Sequence, residues 1–300
     1  MAKRRPAGSS RSSPALSFRR GEEALRRDPY LLILLLVFAL GVILSWGIPR
    51  PIVGVITLND AIYWSTAQDV IEQIRYARDD PRVRAVVLLI DSPGGTVTDT
   101  EAVYLELARL REVKPVVAMI QGLGASGAYY LSVGSDYIVS GPNAQVGNVG
   151  VIAQLPPVPV IYEDVISTGP YKLWGSPRDT VFREIEAIKQ GFYDAVRLGR
   201  GEALKLSRDF LLRGQIWQGT EALRLGLVDE IGSQDRAIQR AAEWAHIANF
   251  EVANLRELAG LPEVVVYPFF MATEDGRRTA YPIEPGTYLL YIPPGERATP

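Results

Sequence analysis

The sequence predicts an α/β protein with a mainly parallel sheet and helical crossovers, preceded by one N-terminal transmembrane helix. Three observations lead there. Short apolar, β-branched runs alternate with amphipathic stretches of helical period, glycine-rich turns follow two of those runs, and a long uncharged run stands apart near the N-terminus. With 47% apolar residues among 300, the chain is long enough to bury a large core.

Residues 1–29 read as a disordered basic tail. Lys3, Arg4, Arg5, Arg11, Arg19, Arg20, Arg26 and Arg27 face only Glu22 and Glu23 over residues 1–27, among Ser and Pro. The run YLLILLLVFALGVILSWG, residues 30–47, carries no charge. As a helix it would reach roughly 27 Å, close to the hydrocarbon thickness of a bilayer. It lacks the polar stripe of a core helix, and Ser45-Trp46-Gly47-Ile48-Pro49 offers no small-residue cleavage pattern, so it reads as a retained anchor. The arginine excess before it, against the single Arg50 after it, puts the N-terminus in the cytoplasm and the rest outside, on a plasma membrane.

Beyond the anchor, Ile52 to Leu58 reads as a strand, and Ser65 with Gln68 as a capping box opening a helix through Val70, Ile71 and Ile74. Arg84 to Ile90 reads as a strand buried on both faces, followed by the turn SPGG and a helix opened by Thr98 and Glu101, with Val103, Leu107 and Leu110 inward. Pro115 to Ile120 is another buried strand, and Ser126 to Val133 a further helix. Residues 51–255 are expected to form one domain. Residues 256–300 form a β-rich extension, in which EVVVYPFF and GTYLLYIPP suggest a hairpin with Pro at its edges.

Composition narrows the chemistry. A net charge of -2 and a pI near 5.7 give no basic field for nucleic acid. The absence of cysteine rules out disulfides, thiolate metal sites and a cysteine nucleophile, no metal-ligand cluster is visible, and no cofactor is expected. In GLGASGAYY, residues 122–130, a single hydroxyl sits among minimal side chains just after a buried strand. Ligands in parallel α/β folds collect at the carboxyl ends of strands, where this turn and Gly94-Gly95 both fall. Ser126 there suits a nucleophile, with the Gly127, Gly94 and Gly95 amides suited to an oxyanion. Read alone, each motif fits an ordinary N-cap or a tight turn better.

A nucleophilic serine needs a base. His246, the one histidine, falls late in an amphipathic stretch and has no motif around it. Among five lysines, Lys3 is on the wrong side of the membrane, Lys114 abuts the start of a strand, and Lys189 and Lys205 lie in charged stretches. Lys172, flanked by Tyr171, Leu173 and Trp174, has surroundings suited to a desolvated amine, or equally to a lysine snorkelling over an aromatic surface. On residues alone, both Lys172 and His246 stay open.

Six ordered segments change that balance: IDSPGGTV (90–97), ASGAYYLSVGSDYIV (125–139), GNVGVI (147–152), TGPYKLWGSPRD (168–179), GRGEA (199–203) and GQIWQGTEALRLGLVDEIG (214–232). Together they resemble the signal peptide peptidase A family of membrane-bound serine proteases, over residues 51 to about 245. The resemblance implies a Clp-protease-like, crotonase-type fold and a serine-lysine dyad in which Ser126 is nucleophile and Lys172 base. It implies that Gly95 and Gly127 line the oxyanion hole, and that the substrates are peptides, remnants of signal peptides at the bilayer. It further implies a homo-oligomer whose neighbouring subunits share active sites, this chain resembling the single-repeat branch. Two departures stand out: Ala128 where the family has a second glycine, and Asn148 where it has a serine. Two other classes share such a fold, a crotonase-type acyl-CoA enzyme and a non-catalytic membrane scaffold.

Overall fold

The computed structural model describes residues 29–46, 49–154, 166–169, 172, 178–262 and 286–291. Two compact units are distinguished, Met1–Pro49 and Arg50–Pro300. In the first, α1 (Pro29–Trp46) covers nearly the whole uncharged run, and Leu32, Leu34, Leu36 and Phe38 are exposed on it. Side chains in α1 are described from Tyr30 to Val42, and among the described residues no helix is long and apolar enough to cross a membrane. The expected span therefore has a helix under it, and no spanning helix among those residues. The expected tail lies outside the described residues but for Pro29.

The second unit is built on a parallel sheet. Strands β1 (Ile52–Leu58), β2 (Val83–Ser92), β4 (Val116–Ala125), β5 (Tyr137–Ser140), β9 (Glu230–Ile231) and β10 (Glu251–Asn254) lie in the order β10-β1-β2-β4-β5-β9, each pair parallel. The helices that connect them explain the order. Helix α2 (Trp64–Asp79) returns the chain from β1 to β2, and α3 (Val97–Arg111) from β2 to β4, each on the same face. Helix α4 (Gly127–Val133) and the 23-residue α5 (Arg178–Arg200) cover that face too.

Alternating residues of each strand feed two cores, as expected for strands buried on both sides. Val86, Leu88 and Ile90 point toward α2, α3 and α4, with Ile74, Leu107 and Tyr129 above them. Ala85, Val87 and Leu89 point the other way, toward Ala237, Ile238 and Ala241 of α8 (Gln234–Trp244). Between α5 and α8 the chain forms a short 3₁₀ turn (Gly201–Ala203), α6 (Arg208–Leu211), β8 (Ile216–Gln218) and α7 (Gly219–Leu225). A last short helix, α9 (Leu255–Leu258), follows β10.

Strand β4 runs further than its apolar half predicts. Val117–Ile120 pair with β5, whereas Leu123–Ala125 pair with β6 (Gln145–Gly147), which in turn meets β8 antiparallel. The register against β2 shifts between Ile90 and Ser92. Asp91 explains the shift: its carboxylate accepts the Leu123 N–H at 2.8 Å, and a Cβ on Gly122 would lie 2.6 Å from the same oxygen. Sheet pairing thus continues through the glycine-rich turn as far as the residue before Ser126.

Two helix starts differ from expectation. Helix α2 is capped by Thr66, whose hydroxyl accepts the Tyr63 N–H and donates to Ala61 O, not by Ser65 with Gln68. Helix α3 is capped by Thr96, which accepts the Asp99 N–H at 3.2 Å, two residues before the expected pair. The cause is β3 (Gly94–Thr96), whose pairing holds the chain extended up to Thr96 so that the helix begins directly after it. The expected hairpin is also corrected in part. EVVVYPFF lies outside the described residues, while Gly286–Leu290 forms β11, the middle strand of a separate antiparallel sheet, β3-β11-β7, with β7 being Ile152–Gln154.

A buried polar knot fastens α4 and α5 to the sheet. Arg200, its side chain 4% exposed, donates to both carboxylate oxygens of Asp229 and to Gly226 O. Asp229 also accepts the Ile138 N–H, and the buried Tyr129 hydroxyl donates to Leu227 O at 2.9 Å. Nearby, Glu230 accepts from Arg236, Arg240 and the Tyr137 hydroxyl. Hydrogen bonding from Arg236, the largest cause, holds its carboxyl down to about 2.

Asp229→Ala should cost about 3–5 kcal/mol in urea unfolding, because it leaves the Arg200 guanidinium buried and unpaired; a loss below about 1 kcal/mol would show the pair to be dispensable. Glu230, with its folded value depressed, stabilises fully above the ordinary 4.5 and loses that contribution as pH falls toward about 2. The stability gap between wild type and Glu230→Gln should therefore narrow over that interval, and a pH-independent gap would refute the role.

Candidate active site

Ser126 is the single residue between β4 and α4. Its backbone sits at φ 54, ψ -120, outside the regions that side chains ordinarily allow. Such a conformation costs on the order of 1–3 kcal/mol and persists only where its surroundings over-determine it. They do so here. The Ser126 N–H donates to Gly147 O at 2.8 Å, its carbonyl accepts the Tyr130 N–H at 2.9 Å, and the residue is 1% exposed beneath its neighbours. Tyr129, anchored to Leu227 O, fixes the helix that follows.

The second turn, Ser92-Pro93-Gly94-Gly95, meets this junction backbone to backbone. Gly94 has φ 92 and donates its N–H to Ser92 Oγ at 3.2 Å. Its carbonyl accepts the Ile62 N–H at 2.8 Å, and Thr96 donates to Ile62 O at 2.9 Å. Strand geometry alternates, so the Gly95 amide lies on the opposite edge, toward β11. None of the three glycines has room for a side chain. A Cβ on Gly94 would lie 2.0 Å from Leu289 O and 2.6 Å from Gly127 N, one on Gly95 1.9 Å from Ile62 O, and one on Gly127 2.8 Å from Thr100 Oγ1.

The structure thus brings Ser126, Gly94, Gly95 and Gly127 together at the carboxyl ends of β2 and β4. A serine on a fixed backbone beside glycines that let another backbone approach closely is suited to acyl transfer. Lys172 is exposed, its N–H donating to Gly169 O, and no hydrogen bond or ion pair joins its side chain to the other four among the described residues. Tyr171, Leu173 and Trp174 lie outside those residues. Among the described residues no cluster of His, Asp or Glu is arranged to hold a metal ion.

His246 is not late in a helix but just beyond one. Helix α8 ends at Trp244, and His246 adopts φ 55 while its N–H donates to Glu243 O and Ile247 N–H donates to Ala242 O. It is exposed, and it precedes the start of β10 on the side of the sheet opposite to α4. Ser126 follows the carboxyl end of a parallel strand, so the two residues belong to opposite edges. Lys114 is likewise at the amino edge, its ammonium donating to Ala77 O and Asp80 O, with burial pushing its pKa down.

Three contributors escaped sequence reading. Gly147 receives the Ser126 N–H, and Asn148, at φ 56, bonds Gln215 O through its N–H and Gly214 O through its side chain. Leu289 O sits against Gly94 and Gly127. The GNVG motif signalled the first two, whereas only the apolar GTYLL pattern hinted at a strand around the third.

Comparison with known proteins agrees with this geometry. The family model for peptidase family S49 matches residues 108–248, and that for Clp protease matches residues 53–146. Protease 4 of Salmonella typhi is 32% identical, over 60% of this chain and 31% of its own length. Putative protease MJ0651 of Methanocaldococcus jannaschii is 32% identical over 70% of each chain. A putative signal peptide peptidase SppA of Enterococcus faecium is 28% identical over 57% of this chain and 54% of its own. The chain thus spans about a third of the Salmonella relative and about half of the Enterococcus one. The Clp-protease-like α/β fold with a mainly parallel sheet, implied by the resemblance, is the fold found.

If Ser126 is strained, removing its Cβ should relieve the strain. Ser126→Gly should unfold about 1 kcal/mol more stably than Ser126→Ala, despite the greater chain entropy of glycine. A glycine variant less stable than the alanine variant would show the conformation to be unstrained.

Proposed function

The chain belongs to peptidase family S49, and on that premise we propose that it is a membrane-anchored serine endopeptidase that uses a Ser126–Lys172 dyad to degrade remnant signal peptides and other apolar peptides. The observation that carries the reading is the strained, buried Ser126 placed beside Gly94, Gly95 and Gly127, none of which leaves room for a side chain.

In this reading neutral Lys172 accepts the Ser126 proton as Oγ attacks the scissile carbonyl. The Gly95 and Gly127 N–H groups hold the resulting oxyanion, with Gly94 shaping the gap. Collapse breaks the C–N bond, the proton passes to the leaving amine, and water then releases the acyl group by the same route. The exposure of Lys172 in the single chain supports a site completed in a homo-oligomer, where a neighbouring copy supplies the cover that lowers an amine's proton affinity. The bare apolar surface of α1 supports an anchor in the plasma membrane, with the basic tail cytoplasmic and the catalytic unit outside.

With a quenched apolar peptide and the full chain in detergent, Ser126→Ala and Lys172→Ala should each lower kcat/KM by at least about 1,000-fold without changing assembly. Full turnover by Lys172→Ala would reject the base assignment. An assembled but inert wild type would favour a scaffold, and turnover of a CoA thioester would favour a crotonase-type enzyme.

A further inference from the structure

The buried stripe of α3 is aliphatic at Val97, Val103, Leu107 and Leu110, and Thr100 puts one hydroxyl among them. Thr100 is fully buried, at 0% exposure, and its Oγ1 has no hydrogen-bond partner among the described residues. A threonine inside a helix commonly returns its proton to the carbonyl one turn back, here that of Thr96, and this one does not. Valine has the same shape and no hydroxyl to leave stranded. Burying an unpaired hydroxyl destabilises a fold, so packing gives no reason for the oxygen.

Its position does. Thr100 lies in the first turn of α3, which begins directly after β3, and it meets the first residue of α4. A Cβ on Gly127 would stand 2.8 Å from Thr100 Oγ1, so the hydroxyl abuts the Gly127 backbone. Gly127 follows Ser126, and its amide is one of the two oxyanion donors in the proposed mechanism. The other buried side-chain atom without a partner among the described residues, Ser135 Oγ, stands beyond the far end of α4 and before the amino end of β5, at the opposite edge of the sheet.

We infer that Thr100 is a positioning residue of the oxyanion site: its hydroxyl backs the Gly127 amide with a dipole that is unpaired at rest and turns toward the negative charge when the scissile carbonyl becomes an oxyanion. The inference rests on the serine peptidase reading and adds a residue to it. A hydroxyl hydrogen rotates to suit its surroundings, so the dipole can follow the charge. An interaction made in the transition state and absent from the ground state lowers the barrier without tightening substrate binding. Removing the hydroxyl should therefore raise stability and lower turnover together.

Thr100→Val and Thr100→Ser, made in the full chain and studied in detergent, test this. The substrate is a quenched apolar peptide, and the inhibitor a peptide boronic acid, which forms a tetrahedral anion on Ser126. Thr100→Val should melt about 2 °C above wild type, since an unpaired hydroxyl is gone. Its kcat should fall at least about tenfold at unchanged KM, and boronic acid inhibition should weaken by the same factor. Thr100→Ser, which keeps the hydroxyl, should turn over much as wild type does. A Thr100→Val variant that keeps full kcat, melts lower than wild type, or loses kcat while binding the boronic acid as tightly overturns the inference, and wild-type turnover leaves the peptidase reading intact. Loss of kcat in Thr100→Ser equal to that in Thr100→Val overturns it as well. A wild type that cuts no peptide overturns the peptidase reading, and this one with it.

Discussion

Everything in the catalytic unit depends on one close approach, that of the β2–β3 turn to the β4–α4 junction with no side chain between them. A Cβ on Gly94 or Gly95 would overlap backbone atoms that cannot swing away, because Ile62 and the β11 carbonyls are themselves held in ladders. The parallel sheet brings the two turns to the same edge, and Asp91 carries the pairing past the point where an apolar strand would have ended. The unfavourable conformation of Ser126 survives because the sheet and the Arg200–Asp229–Leu227–Tyr129 chain of contacts fix both of its neighbours.

Much of this was legible in the sequence. Strands buried on both faces declare themselves by unbroken β-branched runs, and Val70, Ile74, Leu107 and Leu110 by helical spacing, so the layered architecture followed from local pattern. Ser126, Gly94, Gly95 and Gly127 stood out as candidates through six ordered segments taken together, since each turn alone fits an N-cap or a tight turn. The start of α3 was misplaced because a capping signal is local while the extension of β3 to Thr96 is imposed by a partner nearly two hundred residues away. That same separation hid the partners of β11: alternation marks a strand but carries no record of which edge it will join.

The base illustrates a second kind of illegibility. Within one chain topology sets His246 apart from Ser126, since a helix returning along the far side of a parallel sheet ends at the edge away from the strand termini. Lys172 stood out by its aromatic neighbours and by a resemblance spread over six segments. What surrounds a lysine decides what it can do, and residue type and spacing carry no record of those surroundings.

The three-stranded sheet has a consequence for what the cleft admits. Its outer strands, β3 and β7, stand two ladder spacings apart, roughly 10 Å, and one fully extended strand, β11, fills the space between them. A helix is as wide as that gap and has already spent its amides on itself, so it has nothing to offer either edge. A segment that took the place of β11 would therefore have to be drawn out straight, with its amides free to pair on both sides.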